Sequence, residues 1–437
     1  MAWQEVRFVR VQAWGEDVGV VAPGRSRAYE FEYEPSWRRR GIELAPSLMP
    51  VGDRRATCSF PGLPLATFQG LPPMLADAVP DKFGNSLIAA ALAREGLQPG
   101  AINALDRMAY VGTRSMGALT FVPDQGPRHE PTVVELTEVV EAARRAVEGD
   151  LADEQGKTQA LHQLIMVGTS AGGARAKAVI AWNRQTNEMR AGNLDNPPGF
   201  EQFLLKFDGL GADQQLGATR DYGRTEMAYY LMATSAGIDM AESHLLEEGG
   251  RAHFVTRRFD RPGTDGDRLH LQSLCALEAI DFNETGTNEY ASLMVAAESL
   301  APGHREQLFR RIAFNVLASN NDDHSKNFSF LMDRSGQWSI SPAYDVTFAY
   351  DPSNRWTRQH LMGVEGNFDL PSWSDLLRFA DRFSVPGAKQ ILDEVANAVS
   401  QWAGFATQVG LSVDRQREVQ SRLAEIEIAA GGRGVRR

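Results

Sequence analysis

The stretch SNNDDHSKNFSFLMDRSGQWSISPAYD, residues 319–345, decides the fold predicted for this chain of 437 residues. The runs FSFLM and QWSIS have strand composition and are joined by the turn sequence DRSG, so they predict a β-hairpin. In an antiparallel hairpin, the residue that enters the first strand and the residue that leaves the second lie at the same end. Asn327 enters this hairpin, Asp345 follows it, and Asp322 lies shortly before Asn327. The pattern therefore predicts that three oxygen-bearing side chains converge.

Oxygen ligands of this kind favour a hard cation. Mg²⁺ is usually bound by one or two carboxylates together with the phosphate oxygens of a substrate. The spacing Asp-x-x-x-x-Asn is also that of the protein-kinase catalytic loop, in which the Asp accepts the proton of the substrate hydroxyl and the Asn binds Mg²⁺. The alternative is a polar loop whose Asp and Asn residues only cap and turn the chain. The additional acid, Asp345, favours the kinase interpretation.

Composition sets the broad class of the protein. Hydrophobic residues make up 43% of the chain and charged residues 23%, which is typical of a globular protein. The formal net charge of −11 argues against binding of nucleic acid through bulk electrostatics. Cys58 and Cys275 are far apart in apolar settings, which excludes a disulfide framework and a cysteine-ligated zinc site. Because the sequence has neither a signal-peptide core nor a run of about 18 apolar residues, we expect a cytoplasmic protein without a membrane segment.

The chain changes character along its length. Residues 1–125 predict mainly short strands and turns, beginning with a hairpin in VRFVRVQAWGEDVGVVA. The stretch 121–132 is rich in Pro, Gly and charge and is the best candidate for a domain boundary. Helical patterns dominate from residue 224 onward, and AKQILDEVANAVSQWAGFATQVG predicts one continuous helix.

These patterns predict an α+β protein with a two-lobed, protein-kinase-like fold. We expect a strand-rich N-terminal subdomain over residues 1–125. A kinase N-lobe with a phosphate loop and a lysine strand would follow over 126–255. The helical C-lobe with the catalytic loop would occupy 256–437.

A kinase needs three further parts upstream of the catalytic loop, and the chain has candidates in the expected order. GTSAGGARAK, residues 168–177, is a Gly-rich turn whose small residues would let backbone N–H groups approach phosphate oxygens. Lys206 lies in the apolar run FLLKFD, where a lysine could hold phosphates or simply face outward at an edge. Glu226 opens an amphipathic helix, where it could pair with that lysine or only cap the helix. Each of these three signals is weak alone, and it is their order along the chain that indicates a kinase.

With these residues the chain resembles the HipA-type serine/threonine kinases, which are toxins of bacterial type II toxin–antitoxin pairs. The most specific matches are DHSKNFSFL for the catalytic loop and SPAYD for the metal-binding aspartate. SAGGARAK, FLLKFD, TEMAYYLMATSAGI and RRFDR match the phosphate loop, the lysine strand, the glutamate helix and the segment between the lobes. LPPMLADAVPDKFGN also looks like the N-terminal region of that family.

The resemblance implies a role for each of these residues, with ATP and Mg²⁺ as cofactors. Asp322 would be the catalytic base, Asn327 and Asp345 would bind Mg²⁺, and Glu226 would form an ion pair with Lys206. The ATP-binding residues would be Gly172, Gly173, Ala174, Arg175, Ala176, Lys177, Lys206, Arg257, Arg258, Phe259, His324 and Lys326. The chain departs from the family at Asp323, where members often have a small residue. The Asn spacing favours Asp322 as the base, and Asp323 stays open as the alternative.

The resemblance also implies regulation and partners. Family members phosphorylate a serine inside the phosphate loop, which shuts the enzyme off, and the matching position is Ser170. We expect a small DNA-binding, HipB-like antitoxin as partner, DNA contact only through that antitoxin, and a protein substrate in translation, such as an aminoacyl-tRNA synthetase.

Three other functions compete with this interpretation. The first is a small-molecule kinase of related architecture, such as one that phosphorylates aminoglycosides. The second is a metal-dependent phosphoester hydrolase built on Asp322, Asp323, His324 and Asp345. The third is a catalytically inactive subunit that only holds a DNA-binding partner.

Overall fold

The computed structural model of the chain describes residues 3–25, 27–53, 57–80, 82–126, 177–192, 198–208, 221–263 and 266–429. The chain divides into two compact units. The first unit comprises Met1–Gly211, Val255–Gln272 and Leu331–Trp338, and the second comprises Ala212–Phe254, Ser273–Phe330 and Ser339–Arg437. Each unit is therefore assembled from separated stretches of the chain.

Short strands occur throughout the described residues. In chain order they are β1 (Val9–Ala13), β2 (Glu16–Pro23), β3 (Tyr29–Tyr33), β4 (Cys58–Ser59), β5 (Leu119–Val122), β6 (Lys177–Asn183), β7 (Glu188–Ala191), β8 (Glu201–Lys206), β9 (Ser243–Glu248), β10 (Arg251–Arg257), β11 (His270–Ser273), β12 (Asn288–Glu289), β13 (Ser329–Met332), β14 (Trp338–Ile340) and β15 (Met362–Gly363).

The longer helices are concentrated in the second unit. In chain order the helices are α1 (Pro35–Arg40), α2 (Leu65–Phe68), α3 (Pro73–Ala76), α4 (Lys82–Arg94), α5 (Ala104–Val111), α6 (Tyr222–Ser235), α7 (Leu274–Leu277), α8 (Tyr290–Leu300), α9 (Arg305–Leu317), α10 (Trp373–Arg382), α11 (Ala388–Ser400), α12 (Trp402–Gln408) and α13 (Val413–Ala429). In the described ranges, no helix combines the length and the apolarity needed to cross a bilayer.

The N-terminal part of the first unit is a five-stranded sheet in the order β4-β3-β2-β1-β5. The predicted N-terminal hairpin is confirmed, with Val9 opposite Val21 and Ala13 opposite Glu16. Val9, Val11 and Ala13 are buried, as expected for alternate residues of a strand with one face on the core. The prediction of mainly strands and turns missed the two longest of the five helices in this part, α4 and α5.

The rest of the first unit includes an antiparallel arrangement in which β6 lies between β7 and β8. The predicted lysine strand is present here, since FLLK forms the end of β8, and the neighbouring strand β6 covers AVIAW. Phe203 and Leu205 in β8 are buried, and Ala178 and Ile180 in β6 are buried with them. These apolar side chains anchor the two strands on the core of the unit.

The second unit confirms most of the predicted helices. α6, α8, α9, α10 and α13 all coincide with helical patterns in the sequence. The predicted continuous helix over AKQILDEVANAVSQWAGFATQVG is wrong, because the chain leaves the helical conformation at Gln401 and forms α11 and α12 instead. The break turns Trp402 into the core, where it is 1% exposed and its indole N–H donates to the Gln416 carbonyl. Burial of this large side chain outweighs continuation of the helix.

Candidate active site

The predicted catalytic hairpin is present in the structure. α9 ends at Leu317, and the loop that follows leads through a short 3₁₀ turn, Ser325–Asn327, into β13. β14 is the hydrogen-bonded neighbour of β13, and the Ser341 N–H donates to the Ser329 carbonyl at 2.9 Å. Phe309, Ile312 and Phe314 bury one face of α9 and so fix the point at which the loop begins.

Asp322 and Asn327 are brought together within this loop. The side-chain amide of Asn327 donates to the main-chain carbonyl of Asp322 at 2.8 Å, and the Asn327 N–H donates to the His324 carbonyl at 2.9 Å. The carboxylate of Asp322 is 36% exposed and has the His324 Nε2 at 3.8 Å. The loop therefore presents the partly exposed carboxylate of Asp322, and the backbone of that residue is held by Asn327, a predicted metal ligand.

Asp323 has a different environment from that of its neighbour. It is fully buried, and its Oδ2 accepts hydrogen bonds from the Tyr290 hydroxyl at 2.5 Å and the His360 Nδ1–H at 2.8 Å. Its Oδ1 accepts from the Leu361 N–H at 2.7 Å and, more weakly, from the Met362 N–H at 3.4 Å. Burial, followed by the effect of the nearby carboxylate, raises the pKa of the Tyr290 phenol well above its ordinary value, so the phenol stays a donor. Both oxygens are thus occupied by the protein, which argues against Asp323 as a base.

Asp345 follows β14 in a backbone conformation that residues other than glycine rarely adopt, with φ of +52°. The preceding residue, Tyr344, donates its hydroxyl to the Lys326 carbonyl at 2.6 Å and shares a 2.5 Å hydrogen bond with the Ser329 hydroxyl. Tyr344 therefore joins the segment that carries Asp345 to the turn that carries Asn327. Sequence analysis missed this role, although the tyrosine stands in the quoted motif SPAYD.

His324 precedes this turn, Lys326 lies within it, and both side chains contact Phe282. The His324 ring centroid is 5.3 Å from that of Phe282, and the Lys326 Nζ is 5.0 Å from the Phe282 centroid. A cation above an aromatic face is favourable, so the Phe282 ring helps to hold the Lys326 side chain in place. Phe282 is a second residue of the site that sequence analysis did not single out.

Glu226 is buried near the start of α6, at 2% exposure. Three residues further on, the Tyr229 hydroxyl donates to the Ala318 carbonyl at 2.5 Å, just before the catalytic loop. Burial raises the pKa of Tyr229 above its ordinary value, so the hydroxyl keeps its proton. The glutamate helix and the start of the catalytic loop are therefore connected inside the second unit.

In the first unit, Lys177 and Lys206 are direct cross-strand partners in β6 and β8. Directly opposite residues of an antiparallel pair project from the same face, and like charges at such positions are destabilising. Both lysines are buried, at 4% and 8% exposure, and Asp208, two residues after Lys206, is buried as well. Two ammonium groups on one face are suited to an anionic ligand such as a phosphate.

The segment 257–259 was predicted to border the adenine. Arg257 pairs with Glu201 at 2.9 Å, and Phe259 is half-buried. The Arg258 guanidinium is directed into a buried cluster, where it donates to both oxygens of Asp260 at 2.9 and 2.7 Å. The adenine contact stays a prediction for all three residues, and the Arg258 side chain has this additional partner.

The buried cluster around Asp260 ties this segment to the N-terminal part of the first unit. Asp260 also accepts from the Gly117 N–H and from Arg261, each at 2.7 Å, and Arg261 donates to the carbonyls of Ser115 and Gly117 at 3.0 Å. Burial alone would raise the pKa of Asp260, but the two guanidinium groups hold it well below its usual value.

Part of the predicted site lies outside the described residues. These positions are Ser170, Gly172, Gly173, Ala174, Arg175 and Ala176.

The donor chemistry of the described residues suits Mg²⁺ better than a transition metal. Asn327 and Asp345 offer one amide oxygen and one carboxylate, which is the kind of incomplete, hard ligand set that phosphate oxygens and water complete around Mg²⁺. Within the described part of the chain, there is no group of three or more His, Cys, Asp or Glu residues that could hold a metal. The occupied oxygens of Asp323 argue against the hydrolase built on Asp322, Asp323, His324 and Asp345.

Both parts of the chain match models of the HipA family. Residues 169–403, more than half of the chain, match the family of HipA-like C-terminal domains, and residues 9–122 match the HipA N-terminal domain. The chain therefore belongs to the HipA family, as the sequence motifs predicted.

Two curated relatives and one solved structure support this assignment. The chain is 26% identical over 274 residues to Toxin YjjJ of Escherichia coli, a match that spans 60% of this chain and only 54% of that relative. It is 21% identical over 385 residues to the serine/threonine-protein kinase toxin HipA of Shewanella oneidensis, spanning 82% and 79% of the two chains. The HipA structure from the Shewanella oneidensis HipA, HipB and operator DNA complex has a TM-score of 0.66 at 18% identity, covering 97% of this chain and 98% of that one. The predicted α+β, kinase-like fold class is thereby confirmed.

Proposed function

We propose that this chain is an ATP- and Mg²⁺-dependent serine/threonine protein kinase that acts as the toxin of a toxin–antitoxin pair. The observation that carries the proposal is the contrast between two adjacent carboxylates. Asp323 is buried and saturated by protein donors, whereas Asp322 is partly exposed beside Asn327. A loop that fixes Asp323 and leaves the adjacent Asp322 accessible suits a base that must meet a substrate hydroxyl.

In the proposed reaction, Asp322 accepts the proton of a serine or threonine hydroxyl. The hydroxyl oxygen forms a bond to the γ-phosphorus of ATP while the bond from that phosphorus to the ADP oxygen breaks. His324, whose Nε2 lies 3.8 Å from the Asp322 carboxylate, faces the same side of the loop and would contact the transferred phosphate.

Asn327 and Asp345 would hold Mg²⁺, which neutralises charge on the phosphates when bound. The hydroxyl of Tyr344 supports this pair, because it hydrogen-bonds the turn before β13 from the residue adjacent to Asp345. The left-handed backbone of Asp345 is a strained conformation of the kind that is often retained at functional sites.

The buried lysines Lys206 and Lys177 would bind the phosphates of ATP. The two lysines stand at directly opposite strand positions and project from the same face, so one anionic ligand can reach both ammonium groups. Glu226, buried at the start of α6, would pair with Lys206, and residues 172–176 would contact the phosphates through their amides.

We further propose that phosphorylation of Ser170 switches the enzyme off. A phosphoserine carries about −1.5 to −2 charges at neutral pH. Placed in the phosphate loop, it would compete with ATP for Lys177, Lys206 and the loop amides. Ser170→Asp should therefore bind ATP more weakly than the wild type, which calorimetry would measure. Equal affinities for Ser170→Asp, the wild type and a phosphorylated sample would remove the switch.

The protein substrate would be a component of translation, and an aminoacyl-tRNA synthetase is the candidate that the family resemblance implies. The decisive experiment is quantitative phosphoproteomics of cells that briefly express the wild type or Asp322→Ala. A protein phosphorylated only by the wild type supports the proposal. If no protein is labelled and the purified enzyme instead transfers phosphate to a sugar hydroxyl, the small-molecule kinase is the better assignment.

The partner would be a small DNA-binding antitoxin like HipB, which the Shewanella oneidensis complex contains. A chain with a formal net charge of −11 has little reason to bind DNA by itself at physiological salt. Gel-shift assays with the operator, with and without the antitoxin, test this arrangement. Tight operator binding by this chain alone would contradict it.

A further inference from the structure

The C-terminal helix α13 contacts the three segments of the second unit to which the reaction has been assigned. It lies beyond residue 403, where the match to the HipA-like C-terminal domain ends. Arg415 and Arg422 are separated by seven residues, two helical turns, and therefore project from the same face of α13. We infer that these two arginines position the phosphotransfer centre, an inference that rests on the proposed kinase function.

Arg415 reaches the helix that carries Glu226. It is buried, its Nε lies 3.5 Å from the hydroxyl of Thr225, the neighbour of Glu226, and its Nη1 is held by Glu418 at 2.7 Å. Its guanidinium also stacks 4.9 Å from the ring centroid of Phe348, three residues after Asp345. One side chain therefore contacts both the glutamate helix and the segment that follows the predicted metal ligand.

The turn before α13 holds the same end of α6. The Arg224 guanidinium donates to the Val409 carbonyl at 2.5 Å, and the Ser412 N–H lies 3.4 Å from the Asp221 carboxylate. Asp221 precedes α6 with φ of +76°, so the backbone at the start of this helix is strained. Contacts from the turn and from Arg415 thus converge on the first turn of α6.

Arg422 reaches the start of the catalytic loop. Its Nε donates to the Ser319 hydroxyl at 3.3 Å, and its guanidinium stacks 3.6 Å from the ring centroid of Tyr350. Ser319 is fully buried and has φ of +54°, three residues before Asp322. The short distance to the ring indicates a flat guanidinium stacked on the aromatic face, a geometry that lysine cannot reproduce.

The two segments that Arg422 contacts are joined to each other by the backbone. The Ala349 N–H donates to the Ser319 carbonyl and the Asn321 N–H donates to the Ala349 carbonyl, each at 3.1 Å. This pair of bonds connects the chain after Asp345 to the chain before Asp322. Arg422 of α13 contacts Ser319 and Tyr350, one on each side of this connection. Its loss should therefore loosen the alignment of the predicted base, Asp322, with the predicted metal ligand, Asp345.

The test compares Arg422→Ala and Arg415→Ala with Arg417→Ala. Arg417 is the matched control, because it lies on α13 with its side chain 76% exposed and forms an ion pair with the exposed Asp414, at 3.6 Å. We expect kcat to fall about ten- to a hundredfold in Arg422→Ala, since small misplacements of reacting groups have effects of this size. The fall in Arg415→Ala should be smaller, KM for ATP should stay within about twofold, and Arg417→Ala should match the wild type.

A second readout does not depend on kinase activity. Hydrogen–deuterium exchange of peptides that contain the Asn321 and Ala349 amides should be faster in Arg422→Ala and unchanged in Arg417→Ala. If Arg422→Ala does not fold, Arg422→Lys takes its place, since it keeps the charge but loses the stacking plane. Wild-type kcat and exchange in a folded Arg422 variant, or a loss of kcat that only follows the folded fraction, would overturn the inference. If the wild type transfers no phosphate, the proposed function fails, and the exchange rates still decide whether Arg422 holds the loop.

Discussion

Asp260 in the first unit and Asp323 in the second are both buried carboxylates, yet different kinds of donor stabilise them. Asp260 lies between the guanidinium groups of Arg258 and Arg261 and accepts one backbone N–H. Asp323 accepts hydrogen bonds from a phenol, an imidazole and backbone N–H groups. The first arrangement is a compact ion cluster, and the second gathers donors that are 33 to 38 residues away in the chain.

The difference indicates what each carboxylate does. An ion cluster between neighbouring residues fixes a segment to the N-terminal sheet and leaves no group for chemistry. The network around Asp323 fixes the catalytic loop from several sides, so that the adjacent Asp322 is held at the surface of the unit. Both buried carboxylates, Asp260 and Asp323, therefore have a structural role. Asp323 has that role directly beside the predicted base, Asp322.

The largest expected effect comes from replacing the exposed acid of the pair. Asp322→Asn should lower phosphate transfer by about a thousandfold, because the amide cannot accept the substrate proton. ATP affinity should stay within about twofold, since Asp322 is not assigned to ground-state binding. Single-turnover kinetics and calorimetry measure the two quantities. Transfer by Asp322→Asn at the wild-type rate would show that Asp322 is not the base.

Replacing Asp260 should affect stability rather than chemistry. In Asp260→Asn two buried guanidinium groups lose their counter-charge, and we expect the free energy of unfolding to fall by about 3–5 kcal/mol. Asp267→Asn is the matched control, because its carboxylate is 68% exposed and its ion pair with Arg334 is long, at 3.9 Å. The control should change stability by less than about 0.5 kcal/mol. Chemical denaturation followed by tryptophan fluorescence measures both, and equal stabilities would contradict the scaffold role of Asp260.

Asp323→Asn tests the second network. The amide keeps one acceptor but turns an N–H₂ group toward donors, and leaving these unsatisfied should cost about 1–3 kcal/mol of stability. Because the same bonds align the loop, kcat should also fall in the folded fraction of the sample. A variant with wild-type stability and wild-type kcat would remove Asp323 from the scaffold.

The smallest expected effect is a pH dependence in the first unit. Burial lowers the pKa of His270 to about 4, and its Nδ1 has no hydrogen-bond partner among the described residues. The unfolded chain takes up the proton near its ordinary pKa of about 6.5 while the folded protein does not. Stability should therefore fall as the pH drops from 6.5 toward 4.

Between pH 7.5 and 5.5 this effect amounts to about 1 kcal/mol. His270→Gln should remove its own share of the pH dependence and leave that of His253, whose pKa burial also lowers to about 4, whereas His244→Gln, at a partly exposed histidine beside Glu242, serves as the control. A wild-type profile in His270→Gln would show that this histidine does not cause the dependence.

Local patterns predicted much of the fold and the candidate site. The hairpin after Asn327 and the helices α6, α8, α9, α10 and α13 follow from alternation and from helical spacing. α4 was missed because its sequence begins in a Pro- and Gly-rich stretch. The break at Gln401 was missed because its cause is the burial of Trp402, a tertiary effect that outweighs local helical preference.

Roles that depend on distant partners could not be predicted from the sequence. The motif NDDHSKN shows two adjacent acids, and only the donors from Tyr290, His360 and Leu361 distinguish them. The sequence likewise does not show that Lys177 lies opposite Lys206. The length of the segment between β6 and β8 does not determine the register in which the two strands pair. The types of the two acids and the two lysines and their order in the chain were visible in the sequence, but the residues that they face were not.

The opposed lysines of β6 and β8 have a consequence for the lifetime of the proposed kinase in the cell. In the proposed function they bind the phosphates of ATP, and a nucleotide that binds the folded protein but not the unfolded chain shifts the folding equilibrium by mass action. The proposed toxin would then be most resistant to proteolytic turnover when ATP is abundant. In cells with a falling energy charge, the nucleotide-free fraction would unfold more often and be degraded sooner.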